Sequence, residues 1–158
     1  MTIVHAATAE ETRAIGGHLA AALRAMPRDR ALLICLSGDL GAGKTTLVGG
    51  LLAALGHAGP VRSPTYTLVE SYQLGGREFH HCDLYRLRHP DELEDLGLRD
   101  LARPGSVLLV EWPERAEGRL GPADLELHLS YADYGRACEL RAPTAAGQQL
   151  ARQLSGRT

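Results

Sequence analysis

Gly38-Asp39-Leu40-Gly41-Ala42-Gly43-Lys44-Thr45 fits the pattern G-x-x-x-x-G-K-[ST], and Thr46 follows it. This stretch constrains the fold more than any other, because such a loop works only between a buried strand and a helix. Both flanks are legible. Residues 31–37 form an apolar run of strand length, and Leu47, Val48, Leu51, Leu52 and Leu55 then recur at helical spacing. The glycines let the backbone turn its N–H groups inward, and the helix N-terminus adds favourable partial charge for phosphate oxygens. Lys44 is expected to reach the β- and γ-phosphates of a nucleotide, and the Thr45 hydroxyl to bind Mg²⁺.

Lys44 is the sole lysine of the chain, against sixteen arginines. A slim ammonium fits inside such a loop where a broad guanidinium does not. The formal charge of −2 gives no basic bias of the kind that accompanies tight, autonomous nucleic-acid binding. No apolar run reaches membrane-spanning length, and no basic segment followed by an apolar signal core opens the chain. Cys35, Cys82 and Cys138 are far apart and flanked by apolar residues, so they read as reduced core thiols of a cytoplasmic protein. The 158 residues suit one domain spanning 1–158.

In chain order, residues 2–5 suggest a short strand. Thr8 and Glu11 then form a capping box ahead of a helix whose face is Ile15, Leu19, Leu23 and Met26. Beyond the loop and its helix, strands are expected at 67–73 and 78–84, joined as a hairpin by Leu74-Gly75-Gly76-Arg77. Pro90-Asp91-Glu92 opens a helix that Gly97 ends; residues 107–110 are a fully apolar strand; and a short turn or helix runs to Leu120. Strands at 125–129 and 136–141 and a closing helix at 144–154 complete the chain. The expected fold is α/β: a three-layer, P-loop NTPase-like domain around a mixed, mainly parallel sheet.

Hydrolysis needs acids near the phosphates, and two stand where strands end. Glu111 follows four apolar residues, and Asp83 follows the more mixed Phe79-His80-His81-Cys82. In open α/β sheets, ligands lie beyond the carboxyl ends of the strands, so either acid can face the loop. Taken alone, each is as readily an ordinary strand-terminal acid; Ser63-Pro64-Thr65 could be a switch-like loop sensing the γ-phosphate, but on local grounds plain turn chemistry is favoured. His80 and His81 are neighbours on a strand and point to opposite faces, which argues against a shared metal. Arg86, Arg88, Arg99 and Arg103 could hold phosphates or a partner, but each taken singly reads more readily as solvated surface.

Four blocks together resemble the TsaE family, also called YjeE. They are residues 38–46, Ser63-Pro64-Thr65-Tyr66-Thr67, His81-Cys82-Asp83-Leu84-Tyr85-Arg86-Leu87 and Glu111-Trp112-Pro113. The likeness runs from about Thr8 to near Arg141. It implies a bacterial ATPase supporting the threonylcarbamoyl-adenosine modification beside the tRNA anticodon. In that family a TsaB–TsaD pair carries out the transfer, so tRNA is reached through the complex, and the cofactors implied are ATP and Mg²⁺. The resemblance gives Lys44 and the loop (Gly38, Asp39, Leu40, Gly41, Ala42, Gly43, Thr45, Thr46) to the phosphates. It gives Thr45 and Glu111 to Mg²⁺, Asp83 to the metal and attacking water, and Thr65 to the switch-like loop. Trp112 is implied near the site, Glu10 near the adenine, and Arg136 within reach of the nucleotide.

Three rivals are separable. A small GTPase uses an Asn-Lys-x-Asp segment for guanine, and this chain has no asparagine and no second lysine. A kinase would need a phosphoryl acceptor for turnover. A nucleotide-gated binding module would keep its function after Asp83→Ala.

Overall fold

The computed structural model describes residues 2–64 and 66–156. Seven strands form one sheet: β1 (Thr2–Ala6), β2 (Leu32–Ser37), β3 (Val69–Leu74), β4 (Arg77–Asp83), β5 (Val107–Glu111), β6 (Leu125–Tyr131) and β7 (Arg136–Arg141). Their spatial order is β1-β7-β6-β2-β5-β4-β3. The four central strands, β6-β2-β5-β4, are parallel; the flanking pairings β1–β7, β6–β7 and β3–β4 are antiparallel. The sheet is therefore mixed with a parallel centre, and the hairpin expected from Gly75-Gly76 joins β3 to β4.

One face carries α1 (Ala9–Arg24), α2 (Lys44–Ala54) and α4 (Ala145–Ser155). The other carries thinner cover: two 3₁₀ segments, Pro90–Leu96 and Pro113–Ala116, and the one-turn α3 (Leu98–Leu101). Each layer buries its own cluster against the sheet. Phe79, Val107 and Leu109 face the α1–α2 side, and Cys82, Leu108 and Val110 face the 3₁₀ side. The alternation follows from the period-2 geometry of strands. The segment after Pro90 is thus a 3₁₀ helix rather than an α-helix, and α3 beyond Gly97 has no clear signal in a four-residue window.

Local chemistry explains the boundaries. The Thr8 Oγ1 accepts the Glu11 N–H at 3.1 Å, and the Glu11 carboxylate accepts the Ala7 N–H at 2.5 Å, so the expected cap of α1 forms one residue broader than a simple capping box. Thr144 caps α4 in the same way through the Gly147 N–H. Helices α1 and α2 approach so closely that a Cβ on Gly16 would lie 2.0 Å from the Leu47 carbonyl oxygen. Two buried charges tie loops to the frame. Arg77 donates to the carbonyls of Leu23, Met26, Pro27 and Gly105. Asp124 accepts from Arg30, the Leu33 N–H and Thr144.

All three cysteines are free and buried, and burial pushes each thiol up to about 12, which keeps them unreactive. Among the described residues, no helix is long and apolar enough to cross a membrane.

Candidate functional site

Parallel pairing brings the carboxyl ends of β2, β5 and β4 to one edge. Leu36 pairs with Glu111, and Glu111 with Asp83. The loop between β2 and α2 arches over this edge. Gly38, Gly41 and Gly43 all have positive φ. At Gly38 (φ 134°) a Cβ would sit 2.2 Å from the Leu129 carbonyl oxygen, so only glycine lets the loop leave β2 against β6. A cleft of about 340 Å³ opens there, lined by Leu40, Gly41 and residues 43–46 of the loop together with Ser63, Asp83, Tyr85, Arg86, Glu111 and Trp112.

Lys44 is buried at the first turn of α2, and its Nζ donates to the carbonyls of Gly38 (2.5 Å) and Asp39 (3.0 Å). Burial pulls the ammonium below its ordinary value, while the carboxylates of Glu111, Glu114, Asp83 and Asp39 push it back up. The Trp112 ring lies under it, 4.4 Å from Nζ to ring centroid. Trp112 has φ 58°, an uncommon left-handed conformation for a bulky residue. That turn aims the indole into the cleft directly after Glu111.

The Thr45 Oγ1 lies 3.0 Å from both oxygens of Glu111, although 66 residues separate them in the chain. Glu111 itself is only 2% exposed. Asp83, half-buried, accepts the Tyr85 N–H at 2.9 Å with one oxygen and the Ser63 hydroxyl with the other. A hydroxyl and two carboxylates are hard oxygen donors of the type Mg²⁺ prefers, with room left for phosphate and water oxygens in the cleft. The residues therefore fit a Mg²⁺–nucleotide.

A family model described as Threonylcarbamoyl adenosine biosynthesis protein TsaE matches residues 6–138. This chain belongs to the TsaE family. Proteins of the family take part in tRNA threonylcarbamoyladenosine biosynthesis. The protein of that name from Haemophilus influenzae is 45% identical over 135 residues, covering 85% of this chain and 85% of its own length. The Bacillus subtilis protein of the same name is 42% identical over 123 residues, covering 78% and 73%. The crystal structure of Bacillus subtilis YdiB superimposes with a TM-score of 0.76 at 27% identity, over 99% of this chain and 95% of that one.

Within this TsaE fold the expected residues divide. Leu40, Gly41, Gly43, Lys44, Thr45, Thr46, Asp83, Glu111 and Trp112 converge on the cleft. Gly38 and Asp39 act through their carbonyls on Lys44, and Ala42 is fully buried. Arg136 stands behind the loop instead of in the cleft. Its guanidinium donates to the carbonyls of Ala42 (3.1 Å) and Gly41 (3.3 Å) and lies 4.2 Å over the Tyr131 ring. It braces the loop from outside because β7 lies two strands from β2. Glu10 is exposed on the first turn of α1, outside the cleft lining. Thr65 lies outside the described residues.

The structure sharpens the place of two further residues. Arg86 is exposed, as a solvated residue would be, and also lines the mouth of the cleft, three residues beyond Asp83. His81 is fully buried, with its Nε2 2.5 Å from the Glu111 carboxylate. His80 points to the other face and meets Ser71 and Glu78. The period of two separates the histidines, but only the β4–β5 pairing shows what His81 meets.

Proposed function

We propose that this chain binds ATP with Mg²⁺ in the cleft and hydrolyses it, acting on a TsaB–TsaD-type pair to support threonylcarbamoyladenosine formation next to the tRNA anticodon. The observation that carries the reading is the contact of the Thr45 hydroxyl with the Glu111 carboxylate beside Lys44. Phosphoryl transfer asks the protein mainly for position and for compensation of charge, and these side chains supply both.

In this reading Lys44 releases the carbonyls of Gly38 and Asp39 and turns to the β- and γ-phosphates. The loop N–H groups and the N-terminus of α2 add donors and partial positive charge. Thr45 and Glu111 would hold Mg²⁺, which would supply compensation for phosphate charge. Asp83, held by Ser63 and the Tyr85 N–H, orients the attacking water. Trp112 walls the cleft and limits the routes by which Lys44 reaches solvent. Arg136 holds the outer carbonyls of the loop so that its N–H groups stay turned inward. The tRNA is reached through the partner pair, in keeping with a net charge of −2.

The test is steady-state ATP hydrolysis by the purified chain, alone and with the cognate TsaB–TsaD pair, with Lys44→Ala as control. The expected result is stimulation by the pair that the control loses. Unchanged turnover while the pair demonstrably binds would transfer the role to a kinase lacking its acceptor or to a switch that acts by binding alone.

A further inference from the structure

We infer that His81 is the positioning residue for Glu111: its Nε2–H holds one oxygen of that carboxylate and so sets the metal-binding geometry of the site. This rests on the Mg²⁺–ATP reading above and deepens it.

The position is unusual. On β4 the alternate residues Phe79, His81 and Asp83 share one face of the sheet, as Val107, Leu109 and Glu111 do on β5. Phe79, Val107 and Leu109 belong to the apolar core under α1 and α2. His81 occupies the step between that core and the acids, where period-2 patterning calls for another apolar side chain. It is 0% exposed. A buried polar group is retained where it has a partner, and the partner here is Glu111 Oε2 at 2.5 Å.

Bonding assigns the tautomer. Among the described residues, Nδ1 of His81 is buried without a hydrogen-bond partner. A proton on Nδ1 would bury a donor with nothing to accept it, whereas a bare Nδ1 forfeits less. Hydrogen bonding therefore assigns the proton to Nε2, which donates to Glu111 Oε2. A carboxyl group only 2% exposed needs such a donor, because its oxygens are cut off from water. The imidazole turns about only two side-chain bonds and is packed in the core, so it fixes the plane of the carboxylate. The Thr45 hydroxyl lies 3.0 Å from both oxygens, so His81 meets Oε2 from the core side while Thr45 faces the carboxylate from the cleft. Side chains that orient metal-binding carboxylates in this way typically change metal affinity or activity by about 10–100-fold when removed.

The experiment reads Mg²⁺ dependence by binding, so that turnover is not the only witness. Trp112 is the sole tryptophan and stacks under Lys44, which makes its fluorescence a reporter of cleft occupancy. The non-hydrolysable analogue adenylyl-imidodiphosphate is titrated into the parent chain, His81→Leu, His81→Gln and His81→Asn, first in EDTA and then across a Mg²⁺ series. Circular dichroism checks each fold. In His81→Leu, metal-free affinity stays within about twofold of the parent, while the Mg²⁺ concentration for half-maximal tightening rises about tenfold or more. The glutamine amide can place its N–H near the histidine Nε2 and restores most of the effect; asparagine is too short and does not. Should His81→Leu fail to fold, the Gln and Asn pair decides. Equal Mg²⁺ dependence in parent and folded Leu variant, or in the Gln and Asn variants, overturns the inference and leaves the ATPase reading standing. A parent that binds no analogue at all overturns the ATPase reading and this inference with it.

Discussion

Replacing Arg77 by methionine removes a charge that the fold has built around and leaves the cleft alone. Arg77 is 3% exposed, and its guanidinium donates to Gly105 O at 3.0 Å, Leu23 O at 2.6 Å, Met26 O at 3.3 Å and Pro27 O at 3.0 Å. These contacts fasten the end of α1 and the turn before β5 to the start of β4. Methionine keeps much of the aliphatic stem, so the loss is chiefly in hydrogen bonding. Leu23 O also accepts the Met26 N–H, and Pro27 is exposed, so water and backbone cover those two carbonyls. The Gly105 and Met26 carbonyls sit in buried residues. Each unsatisfied buried group costs about 1–3 kcal/mol, so the variant should lose about 2–6 kcal/mol. Taking about 4 kcal/mol, and about 2–4 °C per kcal/mol for a domain of this size, Tm should fall by about 8–16 °C. Differential scanning calorimetry at neutral pH measures it. Arg77 and Asp83 are at opposite ends of β4, about 20 Å apart at about 3.3 Å per residue, so nucleotide binding below the transition should not change. A Tm within about 2 °C of the parent would refute the view that this guanidinium is a structural anchor.

Further outcomes follow from the same geometry. Gly38→Ala forces a Cβ to within 2.2 Å of Leu129 O at φ 134°, so nucleotide affinity by calorimetric titration should drop at least about tenfold; parent-like affinity counts against the fixed loop exit. Asp83→Ala should leave ATP binding nearly intact while single-turnover hydrolysis falls about 10²–10⁴-fold, and undiminished hydrolysis removes Asp83 from its role. Burial by itself raises the Asp124 carboxyl, but hydrogen bonds from Arg30, the Leu33 N–H and Thr144 outweigh it and hold the group below its ordinary 3.8. Its folded-state value is thus depressed, so its stabilisation is present above the unfolded value and is lost as pH falls through the folded one. Urea unfolding should therefore show a shallower acid loss below about pH 4 for Asp124→Asn than for the parent; identical slopes would contradict this.

The residue order alone determined the centre of the fold. A strand, a glycine-rich turn and a helix follow one another without interruption, and every interaction that defines them is local. The same locality made the Thr8 cap, the closing helix near the C-terminus, the Gly75-Gly76 hairpin and the clean alternation of β6 legible. Asp83 and Glu111 could be picked out as strand-terminal acids, but their convergence could not be seen, because it depends on β4 and β5 lying side by side in parallel. That pairing is long-range, and no local pattern encodes its register. It turned His81 from half of a histidine pair into the partner of Glu111, and it set Thr45 against an acid far along the chain. The position of β7 at the far side of β6 likewise decided that Arg136 braces the loop carbonyls from behind. Sequence fixes what each short segment can become; only the packed sheet decides which side chains meet, because contact between distant segments depends on strand order and register.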